Sequence, residues 1–260
     1  MKRRTLDIAF AVGGIVFSVL LLVVGLILTN QKNFATDYVA KSLDEQGIVF
    51  KPAAKLASEA DFQAALLKSF GSQAKVDAFI KERGLTSEAN SKCLNQYGGK
   101  PMLTGKQAEC YAQDFIRLHA AESSIVSGTG LKLADGTPVD GVSYTYSTIS
   151  GPITAAKLEV TKATEAGKSP EEIAPLQKTA DSLQSLRVDT LLRADTLRGL
   201  LLTTYGFSVF GERAGQAAFV CYAAAAVLLL LSIFGLIHAF TSKKAEDVIL
   251  VAEHHEPAKA

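Results

Sequence analysis

The stretch RADTLRGLLLTTYGFSVFGERAG, residues 193–215, decides how the chain is assembled. From Gly199 to Gly211 it carries no charge and is rich in Leu, Tyr and Phe. It then meets Glu212 and Arg213 before a longer apolar run begins. A bilayer's hydrocarbon, roughly 30 Å thick, takes about 20 helical residues, so a stretch this short reads as a buried core helix or an interfacial segment. Helical spacing puts Leu197, Leu200, Leu201 and Thr204 on one face. Phe34, Tyr38 and Leu43, just beyond the first apolar run, are the partner available to it. The favoured reading is a two-helix stalk, with a lipid-contacting turn around Tyr205–Phe210 as the alternative.

Two other stretches are long enough to span: residues 8–29, uncharged from Ile8 to Thr29, and residues 214–240, whose only titratable side chains are His238, Cys221 and Tyr222. As helices, both satisfy their own backbone hydrogen bonds, as lipid requires. Lys2, Arg3 and Arg4 precede the first and Lys243 and Lys244 follow the second. Positive flanks mark the cytoplasmic side. The expectation is a plasma-membrane protein of two antiparallel spans with the bilayer as its first partner. Residues 1–7 and 241–260 are then cytoplasmic, and 30–213 form one outside domain. A cleaved signal peptide is the rival reading of the first run. Its apolar length exceeds the usual 7–15 residues and LILTNQKNFATD offers no small-x-small cleavage site, so an uncleaved anchor is expected.

Between the spans acidic and basic residues balance one for one, which gives no electrostatic reason to bind nucleic acid. Cys93 and Cys110 lie in this domain and Cys221 in the second span. A pair in an oxidising compartment reads as a disulfide, contributing about 3 kcal/mol for a loop of this size. The pair lacks the C-x-x-C spacing of zinc sites. Small residues predict where the spans touch: Gly13 and Gly14 with Gly235 near one end, and Gly25 facing Ala223–Ala226 near the other.

The outside domain reads as mainly α. A helix continues from the first span to Gly47, with Pro52 beyond it. Ser58 and Ser72 open two short helices, with Phe62, Leu66 and Leu67, then Val76, Phe79 and Ile80, as apolar faces, ending at Gly71 and Gly84. Thr104 and Gln107 form a capping box before a helix whose face is Ala108, Tyr111, Phe115 and Leu118. Alternation at Leu131, Leu133, Val142, Tyr144 and Tyr146 leaves a short β-hairpin open near 131–146. Ser169, Pro170, Glu171 and Glu172 are a strong helix start, and Pro175 is expected to disturb the turn after it.

Motifs for chemistry are few. GKPMLTGKQ has Lys100 where a phosphate loop needs its first Gly, and GTGLKL lacks the third Gly of a dinucleotide loop. His119 is the one histidine of the domain, and His254-His255 sits in the tail. Neither makes a catalytic or metal constellation, so no catalytic residue, metal or cofactor is assigned. The spans lack interior Asp, Glu, Lys or Arg, the groups that mark transport paths.

Gly13-Gly14, NFATDYVAKSLDEQGIVFKP, TGKQAECYAQDFIRLH and DTLRGLLLTTYGF give the chain a resemblance to an uncharacterised family of actinobacterial membrane proteins with two helices and an outward domain between them. The resemblance covers both ends and the middle helix and is weakest over 125–165. It implies the same two-span architecture and assigns no catalytic residues. The Cys93/Cys110 pair is not a general feature of that family. Some members are labelled aromatic ring-opening dioxygenases. That chemistry needs non-haem iron on two His and a carboxylate, which a single His119 cannot supply. The expectation is a non-enzymatic accessory or scaffold subunit with a protein partner or a second copy, with a ligand-binding or sensory domain as the alternative.

Overall fold

The computed structural model describes residues 3–51, 64, 66–68, 70–83 and 91–242, side chains at 82 and 83 excepted. Lys2, Pro52, Ser58, Phe62, Gly84, Lys243, Lys244, His254 and His255 lie outside the described residues. Two helices are long and apolar enough to cross a membrane. One is α1 (Arg3–Asp44); the other lies in the C-terminal helical run that ends with α8 (Arg193–Thr241). Between them come α2 (Gln73–Arg83), α3 (Lys92–Tyr97), α4 (Gly105–Cys110), α5 (Arg117–Ser123), β1 (Ile125–Val126), β2 (Val142–Ser143), α6 (Ser150–Glu165) and α7 (Pro170–Ser185). The chain divides into two compact units: Met1–Asp37 with Val209–Ala260, and Tyr38–Ser208.

The first unit is packed inside out. Its seam is small: Ala11, Ser18, Ala35, Ala218, Ala225, Ser232 and Ala239 are buried, while Phe10, Phe17, Phe219, Leu231 and Phe234 are exposed. Ser18 Oγ donates to the Ala225 carbonyl at 2.8 Å. A Cβ built on Gly14 would overlap Ser232 Oγ, and one on Gly25 would come within 2.6 Å of the Tyr222 ring. Gly235 lies opposite Ala11 and Gly211 opposite Ala35, so the two helices run in opposite directions. A Cβ on Gly13 would meet no atom within 4 Å. The close approach assigned to Gly13 belongs to its neighbour, because one residue along a helix is a rotation of about 100° off the seam.

In the second unit Val39 and Leu43 of α1 share a core with Leu201 of α8, joined by Phe50, Leu94, Met102, Ala108 and Ala112. Tyr38 and Leu200, expected on the buried face, are mostly exposed, as is Phe34 in the first unit. The face turns because α4 also packs on α8, so close that a Cβ on Gly105 would overlap Ser208. Phe50 enters this core on an extended segment paired with 99–102: Phe50 N–H donates to Lys100 O and Met102 N–H to Ile48 O. Gly47 and Gly99, both at positive φ, turn the chain at its edges.

Thr104 and Gln107 form their capping box, as do Ser169 and Glu172 with Pro170 at the first turn. Pro175 does not interrupt α7; so near the start it forfeits one backbone bond, to the Glu171 carbonyl, and the helix tolerates the loss. The hairpin is real but starts earlier than its expected limits. Ile125 pairs with Ser143 and Val126 with Val142, and an inner rung joins Lys132 to Pro138 around the Asp135-Gly136 turn. A second core gathers Val126, Val139, Ile149, Ile153, Ala180, Leu183 and Leu191, and a third Leu66, Val76, Phe79 and Leu118.

Candidate functional site

Two helical runs of this unit contain wide, π-type turns: Tyr111–Ile116 between α4 and α5, and Leu186–Leu192 between α7 and α8. At the first, the Arg117 N–H reaches back five residues to the Ala112 carbonyl. A widened turn places an extra residue in the helix and re-aims the side chains after it, which is why such turns recur at functional sites. A cavity of about 220 Å³ opens beside both. Ile116, Arg117, Ala120 and Ala121 form one wall, Leu191, Ala194, Asp195 and Arg198 another, and Ser143, Tyr144 and Thr145 a third.

Gln113, within the first wide turn, holds both arginines. Its side-chain oxygen accepts from Arg198 Nη2 at 2.9 Å and its backbone carbonyl accepts from Arg117 Nε at 3.1 Å. Arg198 Nε is buried with no hydrogen-bond partner among the described residues, an arrangement that costs about 1–3 kcal/mol or more when permanent. Asp195 is one turn before Arg198 on the same wall, yet no ion pair joins the two.

The hydroxyls of the third wall are committed. Ser143 Oγ donates to the Ala121 carbonyl at 2.9 Å and lies 2.7 Å from Ser124 Oγ. Tyr144 OH donates to the Val139 carbonyl at 3.1 Å, and burial, then the nearby Asp140 charge, pushes the phenol above its ordinary pKa. Asp140 itself closes the 129–140 loop. Burial pushes its carboxyl up, but hydrogen bonds from Thr129 N–H, the Thr129 hydroxyl and Gly130 N–H outweigh it and hold the group below its ordinary value.

Cys93 and Cys110 form a disulfide, with Cα atoms 6.0 Å apart. Ser91 Oγ donates to Asp114 Oδ2 at 2.8 Å, and that oxygen lies 3.2 Å from Cys93 Sγ. Cys93, Cys110 and Asp114 have the proximity of a metal site, but the disulfide consumes both sulfurs and leaves no thiolate to ligate. The His119 ring lies tilted against Phe115, at 4.3 Å between ring centres, at the end of an aromatic row that runs Phe50, Tyr111, Phe115. Gly14, Gly25 and Gly235 lie on the seam of the first unit, and Cys221 is its one free thiol. No known protein family, curated protein or solved structure matches the chain.

The cavity escaped sequence reading because its walls come from segments about 25 to 80 residues apart. In the sequence nothing sets Arg117 and Arg198 apart from the other charges of the domain. The one local signal was Gln113, a neutral polar residue between apolar positions of the 104–122 helix.

Proposed function

We propose that the chain is a non-enzymatic integral membrane protein acting as an accessory or scaffold subunit of a cell-envelope complex. In this reading residues 8–29 and 214–240 span the plasma membrane, both termini are cytoplasmic, and residues 30–213 lie outside. The observation that carries it is the inside-out packing of the first unit, with phenylalanines and leucines outside and alanines, serines and glycines within. In water that distribution would expose a large apolar surface. In lipid it is the expected one, because helices there associate through close packing of small residues and not through hydrophobic exclusion. The Cys93–Cys110 disulfide supports an oxidising compartment for the domain between the spans.

The non-enzymatic part of the reading is supported by what the reactive side chains do. Ser143 and Tyr144 spend their hydroxyl protons on carbonyls, and the His119 ring packs against Phe115. Purification of the tagged full chain in mild detergent, read by mass spectrometry, tests the subunit reading. A stoichiometric partner is expected, and a chain recovered alone would overturn it. Reporter fusions at residues 1, 120 and 260 test the sidedness.

The cavity between the wide turns favours a second reading, a ligand-binding domain that acts through a partner. Its mixed lining of charge and aliphatic surface is that of a small-molecule site.

A further inference from the structure

We infer that the cavity between the two wide turns binds a free α-amino acid with an apolar side chain; this rests on the ligand-binding reading above. The size comes first. At about 220 Å³ the space is smaller than the roughly 300–1,000 Å³ of pockets for drug-sized molecules, and suits a metabolite of amino-acid dimensions. Charge comes second. Arg117 and Arg198 are brought to one cavity by a single residue, Gln113, which takes one donor from each. The buried Arg198 Nε is left without a partner among the described residues. Guanidinium groups pair with carboxylates through two parallel hydrogen bonds, and a carboxylate in this cavity would meet two of them.

Asp195 decides which anion. A phosphate or sulfate seated on the arginines would share the cavity with this carboxylate, and like charges repel. A zwitterion places its ammonium there instead, and Asp195 is not already paired with Arg198. Ile116, Ala120, Leu191 and Ala194, also in the lining, offer aliphatic surface to a side chain. The three features together describe recognition of carboxylate, ammonium and apolar group.

The test is calorimetric titration of the full chain in detergent with L-leucine, 4-methylpentanoate (leucine without its amine), isoamylamine (leucine without its carboxylate) and inorganic phosphate. Leucine should bind at least tenfold more tightly than each of the other three. Arg198→Gln should weaken leucine tenfold or more. Asp195→Asn should weaken leucine and bring 4-methylpentanoate to within about twofold of it. Ala194→Phe, which fills the cavity and alters no charged residue, should abolish binding while the unliganded protein still melts cooperatively; the same melt checks that the charge variants fold. Phosphate or 4-methylpentanoate binding more tightly than leucine, with loss in Arg198→Gln, overturns the amino-acid assignment and leaves the ligand-binding reading standing. Absence of binding by all four, or leucine affinity unchanged in both Arg198→Gln and Ala194→Phe, overturns the site itself.

Discussion

The ring of Tyr222 presses against Gly25: a Cβ there would come within 2.6 Å of Cε1 and 2.9 Å of Cδ1. The Thr29 hydroxyl donates to the Gly25 carbonyl at 2.9 Å, so the Tyr222 hydroxyl donates to Thr29 across the 3.0 Å between them. One missing side chain thus admits an aromatic ring and lets its polar end find a partner, as a buried tyrosine requires.

Gly25→Ala should therefore cost about 1–3 kcal/mol, the usual penalty of overpacking, because a ring cannot step aside as a flexible chain can. Gly13→Ala, with no atom within 4 Å of the new carbon, should be neutral or stabilising by up to about 1 kcal/mol. Unfolding of the full chain in detergent compares the two. Equal effects would mean that the helices do not meet along this seam.

Cys93→Ser with Cys110→Ser should lower stability by about 3 kcal/mol, the entropy released to the unfolded chain by a loop of this length. Mass spectrometry after alkylation without reductant should find one modified cysteine in the native protein, Cys221, since the other two are bonded. Three modified cysteines would show that the disulfide does not form.

Gln113→Leu should destabilise the second unit by about 1.5–3 kcal/mol, the range for a hydrogen bond to a charged group. It removes the acceptor of Arg198 and leaves the backbone carbonyl that serves Arg117. Arg198→Leu should recover part of that loss in the double variant, since no buried guanidinium then lacks its acceptor. Additive losses would mean that the bond does not matter.

Asp140 makes stability depend on acid. Its folded pKa lies below its unfolded value, about 3.9, so the folded state holds the proton less tightly than the unfolded chain does. The contribution is complete above the unfolded pKa and is lost as pH falls through the folded one. Melting temperatures between pH 7 and pH 3 should therefore fall more steeply for the native chain than for Asp140→Asn. Glu171 and Glu172 are lowered too, and remain in both proteins, so the difference isolates Asp140. Parallel curves would contradict the loop geometry.

Local signals in the sequence translated well into local structure. Thr104 with Gln107 and Ser169 with Glu172 are complete instructions, because a capping box is made by residues three apart. The helix faces were half legible. Leu43 and Leu201 are buried as the spacing implies, but Leu200 and Tyr38 are not, since α4 and the Phe50 segment, whose positions no spacing reveals, take that side. Phe50 and Met102 carry no local signal, because their burial depends on pairing between segments about 50 residues apart. The wide turns were illegible for a related reason: the extra residue is accommodated by tertiary packing, and Tyr111–Ile116 reads as an ordinary stretch of helix.

That wide turn also gives the chain an unusual tolerance. Removing one residue from Tyr111–Ile116 would restore an ordinary α-helix instead of breaking one, since the turn carries the surplus. The helix after it would keep its phase, because the widened turn absorbs the extra residue, and Arg117 would stay on its wall of the cavity. What the deletion changes is the turn itself, and with it the Gln113 side chain that holds Arg198. Length variation at this one point would release the clamp on the arginines without dismantling either helix.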